Sequence, residues 1–202
     1  LIEIVSPKVD REKNTDLGGD VIPALTEAGL AYVYDFSTNV IPGQADHERG
    51  YWRDVGSLDA YYDASMDLTA AVPPFSLYNR NWPVYSLQLP LPPAKLGYGD
   101  NGRPADVHNS LLCAGSIVSG GTVDRTIVGP EVFIGAGAVI TETILFPGVR
   151  VEAGARLHRC IIDKNVVVPA GYTIGVDAAA DREQFKTSTN GVVVVEKERS
   201  LR

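Results

Sequence analysis

Cysteine is scarce, and the two present, Cys113 and Cys160, are too few for a disulfide framework. No stretch approaches the roughly 18 consecutive apolar residues that cross a bilayer, so a membrane span is not expected. Positive charge is in deficit: 18 Lys and Arg face 25 Asp and Glu, a formal net charge of −7. That balance argues against nucleic-acid binding, which needs a basic surface to neutralise phosphates, and any phosphorylated ligand must meet local Arg or Lys. The opening Leu1-Ile2-Glu3-Ile4-Val5 has no initiator Met, no basic region and no small-residue cleavage site, and so does not read as a signal peptide. It reads as a start inside a longer polypeptide, and a cytoplasmic protein with free thiols is the expectation.

What is present falls into three zones, expected as domains at 1–71, 72–109 and 110–202. The first is mixed α/β. Leu17 to Leu30 has the pattern of a short helix begun near Asp20, with Pro23 in its first turn, and Ala31 to Phe36 alternates like a strand. Ser57 is placed to cap a helix from Leu58 to about Ala70, with Leu58, Tyr61, Tyr62, Ser65, Met66 and Leu68 on one buried face. The second zone carries seven of the 13 prolines. Such density removes backbone donors and prevents long helices and central strands, leaving an extended crossing segment expected to pack through Tyr78, Trp82 and Tyr85.

From Leu111 the sequence repeats every 17 residues. Ile117, Ile134, Val151 and Val168 keep this spacing, as do Val123, Ile140, Leu157 and Ile174, and Leu111, Val128, Leu145 and Ile162. Gly120, Gly137, Gly154 and Gly171 share the period, as do Val132, Val149 and Val166. Steps of six, five and six describe three short strands per coil, with glycine at a corner that needs positive φ. One coil cannot bury its apolar residues alone. Stacked coils form aliphatic columns and a continuous core. After Gly175 the period stops; Asp181 to Phe185 reads as a helical turn, and Val192 to Val195 as a strand closing the last coil and hiding its open edge.

Chemistry concentrates at Tyr51-Trp52-Arg53-Asp54-Val55-Gly56-Ser57. A carboxylate at the end of an extended segment, just before a capped helix, can bind Mg²⁺ while the helix amides tolerate phosphate oxygens. Local features alone favour a plainer reading, with Asp54 a helix-capping side chain and Trp52 part of the core. His47, His108 and His158 receive no role; His158 follows the inward Leu157 and should point outward.

The coils resemble hexapeptide-repeat proteins, and that resemblance implies left-handed winding of a parallel β-helix. The string YWRDVGSLDAYYDASMDL from Tyr51 to Leu68 resembles bacterial ADP-glucose pyrophosphorylases, the glucose-1-phosphate adenylyltransferase family. So do DLGGDVIPALTEAGLAYVYDF from Asp16, YNRNWPVYS from Tyr78, LPPAK from Leu91 and IIDKNVVVPAGYTIG from Ile161. The resemblance implies the C-terminal portion of a nucleotidyltransferase α/β domain followed by a left-handed parallel β-helix. It further implies a Mg²⁺-dependent exchange of ATP and glucose 1-phosphate for ADP-glucose and pyrophosphate in glycogen biosynthesis, in a homotetramer regulated by phosphorylated metabolites. Asp54 then stands where the family holds its metal, Trp52 beside the substrate, and Arg80 and Lys164 where effectors bind. No G-x-G-x-x-G or P-loop occurs in these 202 residues. The nucleotide loop, a second metal-binding Asp and the sugar-phosphate residues are therefore expected elsewhere, and the 202 residues alone are expected to be inactive. A hexapeptide acyltransferase or a non-catalytic regulatory subunit are the competing readings.

Overall fold

The computed structural model describes residues 16–87 and 89–201. The chain divides at Val40 into two compact units. In the first, Asp16 caps a π-turn over Leu17–Val21, accepting the Gly19 amide, and this turn runs into α1 (Ile22–Glu27), with Pro23 in its first turn as expected. The expected strand Ala31 to Phe36 is absent. Residues 31–35 form no regular element before a 3₁₀ turn at Phe36–Thr38, and Val33 is 99% exposed, with no described strand beside it to complete a ladder.

The second unit, from Ile41 onward, is dominated by a parallel β-solenoid. One five-stranded face joins Lys95–Gly97, Ile117–Ser119, Phe133–Ile134, Arg150–Val151 and Val167–Val168. A second five-stranded face joins Asp106–His108, Thr122–Asp124, Val139–Thr141, Arg156–His158 and Thr173–Ile174. The third face stacks Leu111–Leu112, Ile127–Val128, Ile144–Leu145 and Cys160–Ile162, then Val193–Val195 in parallel and Lys186–Thr187 antiparallel at its edge. The inward columns, such as Val107, Val123, Ile140, Leu157 and Ile174, are buried from Val123 onward. Gly120, Gly137, Gly154 and Gly171 hold φ of 72°, 69°, 70° and 69°, the left-handed corner their recurrence implies.

Two of the expected columns are shifted in the first coil. Val118, not Ile117, stacks on Ile134, and Leu112, not Leu111, stacks on Val128, so the step here is 16 residues. The corner at Gly120 is one residue shorter than its successors, five steps from Val118 to Val123 against six from Ile134 to Ile140, and the chain from Gly97 to Arg103 packs against it. Gly120 donates to the Gly97 carbonyl, and a Cβ on Gly120 would lie 2.6 Å from the Gly99 nitrogen. Ile117 and Leu111 consequently belong to outward columns.

The outward column of the third face, Leu111, Ile127, Ile144, Ile161 and Val194, is unusually apolar. The reason is α2 (Leu58–Asp67), which packs on it: Tyr62 and Met66 form a buried cluster with Ile144, Ile161 and Val192. Ser57 caps α2 as expected, and the helix ends at Asp67, three residues short of the expected limit, where Thr69 Oγ1 turns back to the Met66 carbonyl.

The crossing segment has no helix or strand from Val72 to Ala94 among its described residues. Its aromatics do not pack it as expected: Tyr78, Trp82 and Tyr85 are 77%, 60% and 91% exposed. Polar contacts hold it instead. Glu48 accepts the amides of Ala45 and Ser76, at 2.8 and 2.6 Å, and the Ala45 bond foremost holds its carboxyl below the ordinary glutamate range. Asn79 Nδ2 donates to the Pro42 carbonyl.

At the C-terminal end, α3 (Ala178–Gln184) is capped by Asp177, and Val193–Val195 pairs with Cys160–Ile162, closing the last coil as expected. Asp181 on α3 is 4% exposed and accepts the Gly175 amide at 2.9 Å. Burial raises its pKa above the ordinary aspartate value. A pKa higher in the folded than in the unfolded chain favours folding at low pH, and that contribution is lost as pH rises through the folded value. At neutral pH the ionised carboxylate is thus a cost. Asp181→Asn keeps an acceptor for Gly175 and removes the charge, so its thermal midpoint is expected above that of the parent at pH 7. The gain should vanish below about pH 4, the unfolded aspartate range. A lower midpoint at both pH values would contradict this assignment.

Candidate functional site

The turn from Trp52 to Ser57 is set by local chemistry. Ser57, extended at φ −125° and ψ 160°, accepts the Ala60 amide at 3.1 Å and starts α2. Asp54 is therefore not the helix cap. Its Oδ1 accepts the Gly56 amide at 3.1 Å, folding the carboxylate over Gly56, where an added Cβ would lie 3.3 Å from that oxygen. Asp54 is exposed, with Oδ2 available to a ligand. Trp52 is 71% exposed and so is not a core residue, while Tyr51 before it stacks on Phe75 at 5.5 Å between centroids. The side chains of Trp52 and Asp54 both stand at the surface of one turn.

Arg53, between them, reaches back along α2 to Asp67 at 2.6 Å, tying the turn to the far end of the helix. Beyond that pair opens a cavity of about 460 Å³, lined by Arg53, Tyr62, Asp67, Arg125, Glu142 and Arg159. Its solenoid wall is a corner that sequence reading missed. Asn109, Arg125, Glu142 and Arg159 all adopt positive φ, between 42° and 48°, stacked at this corner one coil apart. Glu142 lies between the two guanidinium groups, 3.0 Å from Arg125 and 3.7 Å from Arg159. Its carbonyl accepts the Tyr62 hydroxyl at 2.7 Å. Burial pushes that hydroxyl up to about 12, so Tyr62 stays protonated and donates. Glu142 is thus shared by two arginines, so the corner carries one more positive than negative charge, while Arg53 has Asp67 as its own partner.

Lys164 is exposed on the coil that follows Ile162, 3.8 Å from Asp163 and 5.4 Å above the Phe146 ring, which in turn stacks on Tyr61 of α2. Arg80 is exposed in the crossing segment. Neither lines the cavity at the arginine corner. His158 points outward and shares a hydrogen bond with Thr141 at 2.9 Å. Burial pushes the Cys160 thiol up to about 12 and raises Cys113 as well. Among the described residues, no three His, Cys, Asp or Glu side chains group closely enough to hold a metal. Nor is any described helix long and apolar enough to cross a membrane.

Comparison with known proteins accounts for both parts of the chain. A family profile described as "GlmU-like, C-terminal hexapeptide" matches residues 92–195, and one described as "Nucleotidyl transferase" matches residues 2–71. Proteins named glucose-1-phosphate adenylyltransferase are similar over nearly the whole chain. The one from Corynebacterium kroppenstedtii is 50% identical over 193 residues, covering 95% of this chain and 46% of the relative. That of Acidothermus cellulolyticus is 47% identical over 197 residues, with 98% and 47% covered, and that of Corynebacterium jeikeium is 45% identical over 189, with 93% and 45% covered. The chain thus spans about half the length of the relatives it matches. It belongs to the GlmU-like hexapeptide family, preceded by a nucleotidyl transferase segment, and is similar throughout to one half of the glucose-1-phosphate adenylyltransferases.

Proposed function

We propose that this chain is the C-terminal portion of an ADP-glucose-forming nucleotidyltransferase, which exchanges ATP and glucose 1-phosphate for ADP-glucose and pyrophosphate. The observation that carries this reading is similarity to enzymes of that name over 93–98% of the chain, and it is supported by an exposed carboxylate in the turn before α2. In it, Asp54 Oδ2 is a ligand for Mg²⁺, and the Gly56 amide fixes the direction in which that oxygen points. Bound Mg²⁺ would offset charge building on the phosphoryl oxygens during in-line attack by the sugar phosphate. The exposed indole of Trp52 borders the same turn and forms a wall for the substrate. The chain's own contribution is to hold ligand and wall in fixed geometry, since phosphoryl-type transfer depends chiefly on positioning and electrostatics.

In the same reading, Arg80 and Lys164 bind phosphorylated effectors through charge-assisted hydrogen bonds, and the solenoid faces assemble a homotetramer in the cytoplasm. Lys164→Ala in the complete polypeptide is expected to blunt the response to an activating phosphorylated metabolite by about tenfold in half-activating concentration, with unstimulated turnover little changed. An unaltered response would remove Lys164 from the effector site. The catalytic reading itself is tested by pyrophosphate release from ATP, which should require both glucose 1-phosphate and Mg²⁺. A complete polypeptide that releases none under any of these conditions would favour a regulatory subunit.

A further inference from the structure

Only Val55 and Gly56 separate Asp54 from the cap of α2, and the short bonds on either side leave little freedom between them. Asp54 accepts from Gly56, Ser57 accepts from Ala60, and Arg53 is held on Asp67 at the other end of the helix. The turn therefore moves with α2 as one body. With ten residues, α2 is too short to be stable in isolation and depends on what it packs against. Its apolar contact with Ile144, Ile161 and Val192 selects the buried face, but apolar contact is non-directional and does not fix how far the helix slides or rolls.

Two directional contacts do. The Tyr62 hydroxyl donates to the carbonyl of Glu142, whose backbone is locked in the left-handed corner and whose side chain is held between Arg125 and Arg159. Arg159 also lies over the Tyr62 ring, 5.1 Å from its centroid. In the first turn of α2, the end that carries Asp54, Asp59 accepts from Ser188 Oγ and from the Asn190 amide at 3.2 Å. Those residues form the tip of the hairpin that caps the solenoid, between Lys186–Thr187 and Val193–Val195. Ser188 Oγ accepts the Val192 amide in turn, so the tip is itself rigid. Val192, Ile144 and Ile161 thus supply the floor, while Glu142 and the 188–190 tip supply the stops.

We propose that Asp59 and Tyr62 are positioning residues for the reaction: they pin α2 to the solenoid corner and to the C-terminal hairpin, and through α2 they place the Asp54 carboxylate. This rests on the reading of Asp54 as a metal ligand. It gives the solenoid and its last hairpin an indirect part in metal binding, exerted through α2, although they are far from Asp54 in sequence. A misplacement of about 1 Å at a reacting centre can cost on the order of a hundredfold, so the loss of one tether should be measurable.

The test uses the complete polypeptide, with pyrophosphate release measured across a Mg²⁺ titration and thermal midpoints measured in parallel. Tyr62→Phe and Asp59→Asn retain ring, size and helix. Each is expected to raise the half-saturating Mg²⁺ concentration by about threefold or more, and the two together by about tenfold. Val151→Ala, which opens a cavity in the solenoid core remote from α2, should lower the thermal midpoint and leave Mg²⁺ dependence unchanged. If Tyr62→Phe and Asp59→Asn leave that dependence unchanged while Asp54→Asn abolishes turnover, the proposal is overturned and the Asp54 reading stands. If Asp54→Asn itself keeps turnover, both fall.

Discussion

Asp54→Asn in the complete polypeptide is expected to lower turnover by about a hundredfold or more, the loss typical when one preorganised electrostatic partner of a developing charge is removed. The fold should be untouched. Asp54 is exposed, does not cap α2, and makes a single short-range bond, from the Gly56 amide, that an asparagine oxygen can also accept. Thermal midpoint and circular dichroism should match the parent, and the residual activity should respond weakly to added Mg²⁺. Turnover within about threefold of the parent would remove Asp54 from the metal site, because an amide binds a hard divalent cation far less well than a carboxylate.

The largest stability effect is expected in the solenoid. Leu157 is 1% exposed and stacks between Ile140 and Ile174. Leu157→Ala should cost about 2–5 kcal/mol, the sum of lost transfer energy and the cavity left in a close-packed column. Because Leu157 sits in the interfaces with both neighbouring coils, its loss should weaken the coupling between them and lower the transition of the solenoid. Ile117→Ala offers the contrast. Ile117 is 38% exposed on an outward column and stacks on Phe133, so its truncation should cost less than about 1 kcal/mol. Urea unfolding of the two variants reads both values. Equal costs would mean that Ile117 is inward and that the 16-residue first coil is misassigned.

That first coil also marks the limit of what the sequence made legible. The 17-residue period was readable because Ile134, Val151 and Val168, Ile140, Leu157 and Ile174, and Gly137, Gly154 and Gly171 all keep it. In the first coil a 17-residue step still lands on an apolar residue, Ile117 or Leu111, but the inward residue is its neighbour, Val118 or Leu112, because the corner at Gly120 is one residue shorter. The apolar outer column of the third face was hidden for a related reason. Ile127, Ile144 and Ile161 look redundant in a repeat until α2 covers them. Ala31 to Phe36 shows the converse error, where alternation signals a strand but a ladder requires a partner.

At the candidate site, the Asp54 turn and the Ser57 cap were legible because capping chemistry is local. The arginine corner was not. Asn109, Arg125, Glu142 and Arg159 differ in charge and size, and what they share is a left-handed backbone conformation that composition does not reveal. The Asp59 contacts with Ser188 and Asn190 join segments about 130 residues apart, and no periodic pattern could have paired them.

Label transfer tests the central claim most directly. The complete polypeptide, given Mg²⁺, glucose 1-phosphate and ATP labelled at its α-phosphorus, is expected to place the label in ADP-glucose, and its Asp54→Asn variant to do so at a small fraction of that rate. Label that never reaches ADP-glucose, or that reaches it equally fast in the variant, would contradict the account.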